Sequence, residues 1–135
     1  MPKLKCDIVT PASRLHSEDA YMVVVPGAEG EMGFLPDHEP LVSVLADGIV
    51  RIQPEKDGEM IRYVSQGGYV EVTGAKVIVL ADRACPVAAV DPASVRELLD
   101  GAEAELAALS QEEADKTTLA ADIAWYKMQL HAVEG

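Results

Sequence analysis

The hydrophobic periodicity of this chain changes once, near residue 90, and that change constrains the fold more than any other feature. Before it, short apolar runs are separated by turn sequences such as Gly67-Gly68 and Thr73-Gly74-Ala75. After it, apolar residues recur at steps of three and four, the spacing of an amphipathic helix. We therefore expect two domains, a strand-rich domain over residues 1–86 and a helical domain over residues 87–135.

Short apolar runs in the first domain predict strands. In the first run Leu4, Cys6 and Ile8 occupy alternate positions, the pattern of an edge strand with one buried face. Many short strands joined by tight turns, with no helical pattern between them, favour a β-sandwich or flattened barrel and argue against βαβ units. The predicted strands lie at residues 4–9, 21–25, 41–45, 48–52, 60–65, 69–73 and 76–81.

The second domain predicts an α-helical hairpin. Asp91 is a suitable N-cap, and Pro92 follows at the first helical position, where its missing N–H costs nothing. Gly101 lies inside this first helix, at a cost of about 1 kcal/mol relative to alanine. Ser110 and Glu113 fit a capping box that opens a second helix.

The predicted second helix carries two apolar stripes, one of mostly small residues and one of mostly large residues. Since the stripes lie roughly 140° apart at 100° per residue, one can pack on the first helix while the other needs a further surface. The small stripe comprises Ala114, Thr118, Ala121, Trp125, Met128 and Ala132, and the large stripe Leu119, Ile123, Tyr126, Leu130 and Val133. Trp125, Tyr126 and Met128 could also form a ligand cage, although packing is the commoner role at helical spacing.

Charge and composition exclude several classes of function. A net charge of −12 disfavours nucleic acid and anionic lipid as partners. No apolar run approaches the ~20 residues that span a bilayer, and the first residues do not resemble a signal peptide. Cys6 and Cys85 do not make a disulfide framework. A cytosolic protein without direct membrane insertion is therefore expected.

The chain has no recognisable catalytic or metal-binding pattern. Gly27, Gly30 and Gly33 superficially resemble a nucleotide loop, but acidic neighbours and the absence of a following helix favour bends in a strand connection. Asp37-His38-Glu39 resembles a metal cluster, but adjacent residues in a turn rarely converge on one ion, and His16 and His131 lack companion ligands. No catalytic constellation and no metal site is therefore indicated by these residues.

Four sequence blocks together are more specific than any of these patterns. They closely resemble the ε subunit family of bacterial F-type ATP synthases, the counterpart of the mitochondrial δ subunit, over residues 1–83. The helical pair is similar to the family in length and architecture but hardly in sequence. The blocks are Val24-Val25-Pro26-Gly27-Ala28-Glu29-Gly30-Glu31-Met32-Gly33 with Pro36-Asp37-His38-Glu39-Pro40-Leu41, then Gly48-Ile49-Val50-Arg51-Ile52, Ser65-Gln66-Gly67-Gly68-Tyr69-Val70-Glu71-Val72, and Val77-Ile78-Val79-Leu80-Ala81-Asp82.

The resemblance implies a ten-stranded β-sandwich followed by a helical hairpin. It also implies a non-catalytic rotor subunit of the central stalk in a proton- or sodium-translocating ATP synthase, peripheral to the cytoplasmic face of the bacterial plasma membrane. The partners implied are the γ subunit, the c-subunit ring and, if the helices extend, the catalytic α and β subunits. By analogy Glu29, Gly30, Glu31, Met32 and Gly33 would lie near the c-ring, and His38 toward γ.

The helical domain departs from the family in two ways. Some bacterial members bind ATP through a motif at the start of the first helix, but here Ser94 stands at the arginine position, and only a degenerate motif around Asp91 and Arg96 remains. In many members basic helix residues also restrain ATP hydrolysis by the catalytic subunits. Residues 91–135 contain ten acidic and three basic residues, a net charge of −7. We therefore expect only a weak electrostatic contact between the helices and the catalytic subunits, and no bound cofactor.

Two other classes of function compete with the rotor subunit. One is a free-standing nucleotide or ligand sensor with the same architecture, and the other is a small hydrolase, which the lack of a nucleophile or metal site makes remote. Stoichiometric co-purification with γ distinguishes the rotor subunit from the sensor.

Overall fold

The computed structural model describes residues 3–134, and in this part of the chain ten strands form two five-stranded sheets. The contacts divide the chain into two compact units after Pro86. The strands are β1 (Leu4–Val9), β2 (Arg14–Ala20), β3 (Met22–Gly27), β4 (Gly30–Phe34), β5 (Leu41–Val44), β6 (Gly48–Gln53), β7 (Ile61–Gln66), β8 (Tyr69–Thr73), β9 (Lys76–Leu80) and β10 (Arg83–Pro86).

The predicted β-sandwich is confirmed. One sheet has the order β2-β1-β9-β8-β5 and the other β10-β7-β6-β3-β4. Alternate side chains of both sheets are fully buried in one shared core that includes Ile8, Val25, Ile52 and Val79. Strands β5 and β4 are edge strands of their respective sheets.

The expectation that β1 is an edge strand was wrong. Strand β1 lies between β2, to which it is antiparallel, and β9, to which it is parallel. The alternation of Leu4, Cys6 and Ile8 correctly identified the buried face, but period-2 burial is equally compatible with a central strand. Asp7, on the opposite face, is itself only 3% exposed, with Lys76 Nζ 3.5 Å from its carboxylate.

Three strands were absent from the sequence-based prediction, for different reasons. Strand β2 reads Arg-Leu-His-Ser-Glu-Asp-Ala and is too polar to show alternation. Strand β4 contains two glycines, which signal a turn when considered alone. Strand β10 ends at Pro86, which lacks an N–H and is tolerated because β10 is an edge strand.

The second unit contains a short 3₁₀ turn and three helices in its described part. The turn spans Val87–Ala89, and the helices are α1 (Pro92–Ala107), α2 (Gln111–Ala114) and α3 (Leu119–Glu134). Asp91 caps α1 through a side-chain bond from the Ala93 N–H, as predicted. The Ser110–Glu113 capping box is also present, and its hydrogen bonds lower the pKa of the Glu113 carboxyl.

The single second helix predicted from residue 110 is in fact interrupted. It stops after one turn because the N–H groups of Lys116 and Thr117 bond three residues back, to the carbonyls of Glu113 and Ala114. Thr117 then accepts a bond from the Leu119 N–H through its hydroxyl, and the Thr118 carbonyl accepts the first bond of α3. Two consecutive threonines favour such local bonds over a continuous helix.

Helices α1 and α3 pack on each other through a small apolar core. Val95 and Leu99 of α1 meet Leu130 of α3, with Ile123 and Tyr126 packed around them. The stripe of large residues is therefore the one that packs on α1. Leu98 is more than half exposed, so the apolar face of α1 is wider than its contact with α3.

Replacing Gly101 by alanine is expected to stabilise the helical unit by about 1 kcal/mol. No heavy atom lies within 4 Å of the position that a Cβ would occupy, so the helix gains propensity without a clash. Urea unfolding followed in the helical band of circular dichroism measures the change. The control is Ala104→Gly at an exposed position of the same helix, which should lower stability by a similar amount. If Gly101→Ala lowered the stability of the helical unit, the space around position 101 would not be open.

Candidate interface at one edge of the sandwich

The Gly27–Gly33 segment forms a tight β-hairpin at one end of the sandwich. Gly27 of β3 pairs with Gly30 of β4, and Ala28 and Glu29 form the two-residue turn. Gly30 has a φ of 127°, and a Cβ on Gly27 would lie 2.6 Å from the Gly30 carbonyl oxygen. Glycine is therefore required by backbone geometry at both positions. The hairpin presents Glu29 and Glu31 to solvent.

This hairpin is attached to the edge strand of the opposite sheet. The Ala28 N–H donates to the Val44 carbonyl at 3.1 Å, and Gly27 forms a bridge with Leu45. The Ala46 N–H donates to the Pro26 carbonyl at 2.7 Å. These bonds hold the tip of the hairpin, Ala28–Met32, beside strand β5. We call this tip, which carries Glu29 and Glu31, the acidic turn.

An apolar surface adjoins the acidic turn. Val42 is 68% exposed and Val44 is 63% exposed. Tyr69 of β8, which pairs with Val44 of β5, is 51% exposed. Between the turn and β5 lies an open groove of about 550 Å³, lined by residues 28–32 and 42–44. We call the acidic turn (Ala28–Met32), the β5 residues Val42–Val44 and Tyr69 together the edge surface.

Arg51 orients one of the two carboxylates. Its Nη2 lies 3.0 Å from Glu31 Oε1 and 3.0 Å from Oε2, from a position on β6 that pairs with Val24 of β3. Both side chains are substantially exposed, so the pair contributes little to stability. Its effect is to direct the Glu31 carboxylate, while Glu29 at the turn has no ion pair with a described residue.

His38 lies away from the turn. Its ring makes an edge contact with the ring of Phe34 at 4.9 Å, and Phe34 ends β4 at the opposite end from Gly30. Phe34 lies four positions along the strand from Gly30, a distance of about 13 Å at the usual rise. Strand β5 begins three residues after His38 and ends beside the turn, so it connects the two ends.

The edge surface includes four of the predicted interface residues and adds residues that sequence reasoning missed. Glu29, Gly30, Glu31 and Met32 line the groove, Gly33 follows on β4, and His38 lies at the far end. Val42, Val44 and Tyr69 were not identified, because an apolar run such as 41–45 predicts a buried strand. The available signal was that Val42 and Val44 lie on the same face of one strand, opposite Leu41 and Ser43.

The cysteines have the properties of packing residues. Cys6 is fully buried, and its burial, together with the charge of Asp7, raises the pKa of the thiol to about 12. Burial also raises the pKa of Cys85. Neither thiol is ionised near neutral pH, and neither forms a disulfide.

Residues 3–134 contain no cluster of three or more potential metal ligands and no helix long and apolar enough to cross a membrane. His16, which sequence reasoning set aside for lack of companion ligands, makes an edge contact with the Tyr63 ring at 5.6 Å between centroids.

The residues of the degenerate nucleotide motif already have partners within the helical unit. The Asp91 carboxylate accepts bonds from the Ala93 N–H and the Ser94 hydroxyl, so it serves as a helix cap. Arg96 lies 3.9 Å from Glu134, with both side chains well exposed. No cluster of guanidinium groups is present in the described helices to hold a polyphosphate.

ATP is accordingly expected to bind no more tightly than about 1 mM, or about −4 kcal/mol. A phosphate chain needs several charge-assisted contacts, whereas the helical region over 91–135 carries a net charge of −7. Calorimetry on the full chain with magnesium and physiological salt measures the affinity. Micromolar binding that Asp91→Ala abolishes would show that another constellation replaces the arginines.

The described residues thus form a two-layer β-sandwich and an α-helical hairpin, with an edge surface on the sandwich that is open to solvent. The family model "ATP synthase, Delta/Epsilon chain, beta-sandwich domain" matches residues 3–87. The ATP synthase epsilon chain 2 of Ralstonia nicotianae is 41% identical over 99% of this chain and 95% of its own length. The ATP synthase epsilon chain of Halorhodospira halophila is 37% identical over 99% of this chain and 94% of its own length.

Solved structures have the same fold. A chain in the Euglena gracilis mitochondrial ATP synthase structure containing OSCP, F1 and the c-ring aligns with a TM-score of 0.67 at 22% identity, covering 99% of this chain and 81% of its own. A chain of the Tetrahymena thermophila central stalk and c-ring aligns with a TM-score of 0.54 at 17% identity, covering 70% of each.

The chain belongs to the ATP synthase epsilon chain family. It is therefore a non-catalytic subunit of an F-type ATP synthase.

Proposed function

We propose that this subunit is a rotor component of the central stalk that couples rotation of the c-ring to the catalytic head. The observation that carries the proposal is the edge surface, where apolar side chains lie on an edge strand beside an acidic turn. Edge strands are usually shielded or charged, because an exposed apolar edge invites association. An exposed apolar edge on an otherwise strongly acidic chain is therefore best explained by a dedicated partner.

The two parts of this surface suit two partners. Glu29 and Glu31 at the turn suit basic polar loops of the c-ring through charge complementarity. Val42, Val44 and Tyr69, with His38 at the other end of β5, suit a packed contact with γ. One rigid sandwich could then bind both rotor partners, with a peripheral position at the cytoplasmic face of the bacterial plasma membrane.

In this proposal the two units have separate roles. Residues 1–86 bind the central stalk and the ring, and residues 87–135 form a regulatory helix-turn-helix that meets the catalytic α and β subunits when it extends. Arg96, Lys116 and Lys127 are the basic residues of that helical unit. Restraint of ATP hydrolysis would therefore depend on apolar contacts more than on charge.

Truncation after Val90 tests the proposed division. All ten described strands precede this point, and the sandwich core is formed by its own residues. The truncated chain should fold and bind purified γ with an affinity within about threefold of the full chain, since apolar sandwich contacts are expected to dominate. Calorimetric titration with γ measures this. A folded fragment that no longer binds γ would place the γ contact in the helices.

A further inference from the structure

The helical unit has a groove of its own, separate from the edge surface. It lies between α1 and α3, has a volume of about 340 Å³ and is open to solvent. We call it the hairpin groove. Its lining includes Glu97, Leu98, Gly101 and Glu105 of α1 and Leu119 and Tyr126 of α3.

The middle of the hairpin groove is apolar and accessible. Leu119 is buried and Tyr126 half-buried, while Leu98 is 54% exposed. No heavy atom lies within 4 Å of the position of a Cβ on Gly101, so a partner's side chain can approach the backbone of α1 there. A groove of this kind suits the apolar face of a helix.

The rim of the hairpin groove is acidic. Glu97 and Glu105 lie eight residues apart on α1, about 12 Å along the helix, and neither carboxylate forms an ion pair with a described residue. Asp122 stands on the α3 side, where it accepts a bond from the Thr118 hydroxyl at 3.0 Å. Arg96, Lys116 and Lys127, the basic residues of the helical unit, do not line the groove.

We propose that the hairpin groove docks a cationic amphipathic helix of a partner protein. A leucine-sized side chain would lie over Gly101, and lysine or arginine residues seven or eight positions apart would meet Glu97 and Glu105. A second copy of this chain is unsuitable because it carries a charge of −12, and anionic membranes and nucleic acids are repelled for the same reason. The proposal does not depend on the rotor role.

A synthetic peptide tests this proposal on the full chain. The probe is a fluorescent helical peptide with a leucine stripe and two lysines seven residues apart, titrated by anisotropy at physiological salt. The double variant Glu97→Lys/Glu105→Lys should weaken binding by about tenfold, because two attractions become repulsions. Gly101→Leu should also weaken it by occupying the groove without changing the charge, with circular dichroism confirming an intact helical signal.

The matched control is Glu103→Lys/Glu112→Lys. Both of these glutamates are exposed and lie outside the groove, and the double variant has the same change in net charge. The control should bind the peptide within about twofold to threefold of the unmodified chain, since exposed charges outside a contact contribute little. Equal weakening by the two double variants would show only non-specific attraction to an acidic chain and overturn the proposal. An unchanged affinity in Gly101→Leu, or no binding by the unmodified chain, would also overturn it.

Discussion

Gly68→Ala is expected to destabilise the sandwich by about 3–6 kcal/mol. Gly68 has a φ of +93°, and a Cβ there would overlap the Leu80 carbonyl oxygen and lie 2.9 Å from the Ala81 Cα. The obstacle is the backbone of β9, which pairs with both β8 and β1 and cannot move aside easily. The Gly68 carbonyl also accepts the Leu45 N–H at 2.9 Å, so the change should disturb the end of β5.

Gly74→Ala is the matched control for this prediction. Gly74 also has a positive φ, +21°, but no heavy atom lies within 4 Å of its Cβ position. Its substitution should cost no more than about 1–2 kcal/mol, the strain of the backbone conformation alone. Urea unfolding followed in the β-sheet band of circular dichroism compares the two variants. Equal stability losses would show that the close approach to β9 does not determine the effect.

Val44→Glu is expected to weaken binding of γ by at least about 30-fold, or about 2 kcal/mol. Val44 lies in the middle of the edge surface, 63% exposed, next to Tyr69 and to the acidic turn. A carboxylate there would be desolvated in a packed contact without a partner, which is costly. The isolated chain should unfold at nearly the same urea concentration, because the side chain faces solvent. Calorimetric titration of γ into each variant measures the affinity.

Ile61→Glu serves as the control for Val44→Glu. Ile61 is 37% exposed at the start of β7, in the other sheet and outside the edge surface. The same change from an apolar residue to a carboxylate should leave the affinity for γ within about threefold, since it lies outside the proposed contact. If Val44→Glu binds γ normally while Ile61→Glu does not, the γ contact lies on the opposite sheet.

The sequence predicted much of the sandwich because burial on one face leaves a period-2 pattern. All seven predicted segments contain strands, whereas β2, β4 and β10 carry polar residues, glycines or a terminal proline in place of that pattern. The order of the strands in each sheet could not be predicted, because the parallel contact of β1 with β9 joins segments about seventy residues apart. In the helical unit the caps at Asp91 and Ser110 were predicted correctly, but local bonds of the two threonines interrupt the second helix.

The candidate interface was predictable only in part. The acidic turn was indicated by its resemblance to a family, and the structure shows its hairpin geometry. The apolar half of the edge surface was missed because exposure of Val42 and Val44 depends on β5 being an edge strand, which is a property of the whole sheet. The separation of His38 from Glu31 likewise depends on the direction of β4, which composition does not encode.

Purification of ATP synthase from cells through an affinity tag on this chain, followed by quantification of the subunits, tests the rotor assignment most directly. A rotor subunit of the central stalk should be recovered at one copy per γ subunit, with the c-ring retained in mild detergent. This stoichiometry should be lost in Val44→Glu and retained in Ile61→Glu. Recovery of the chain without γ, from cells whose ATP synthase is intact, would contradict a place in the central stalk.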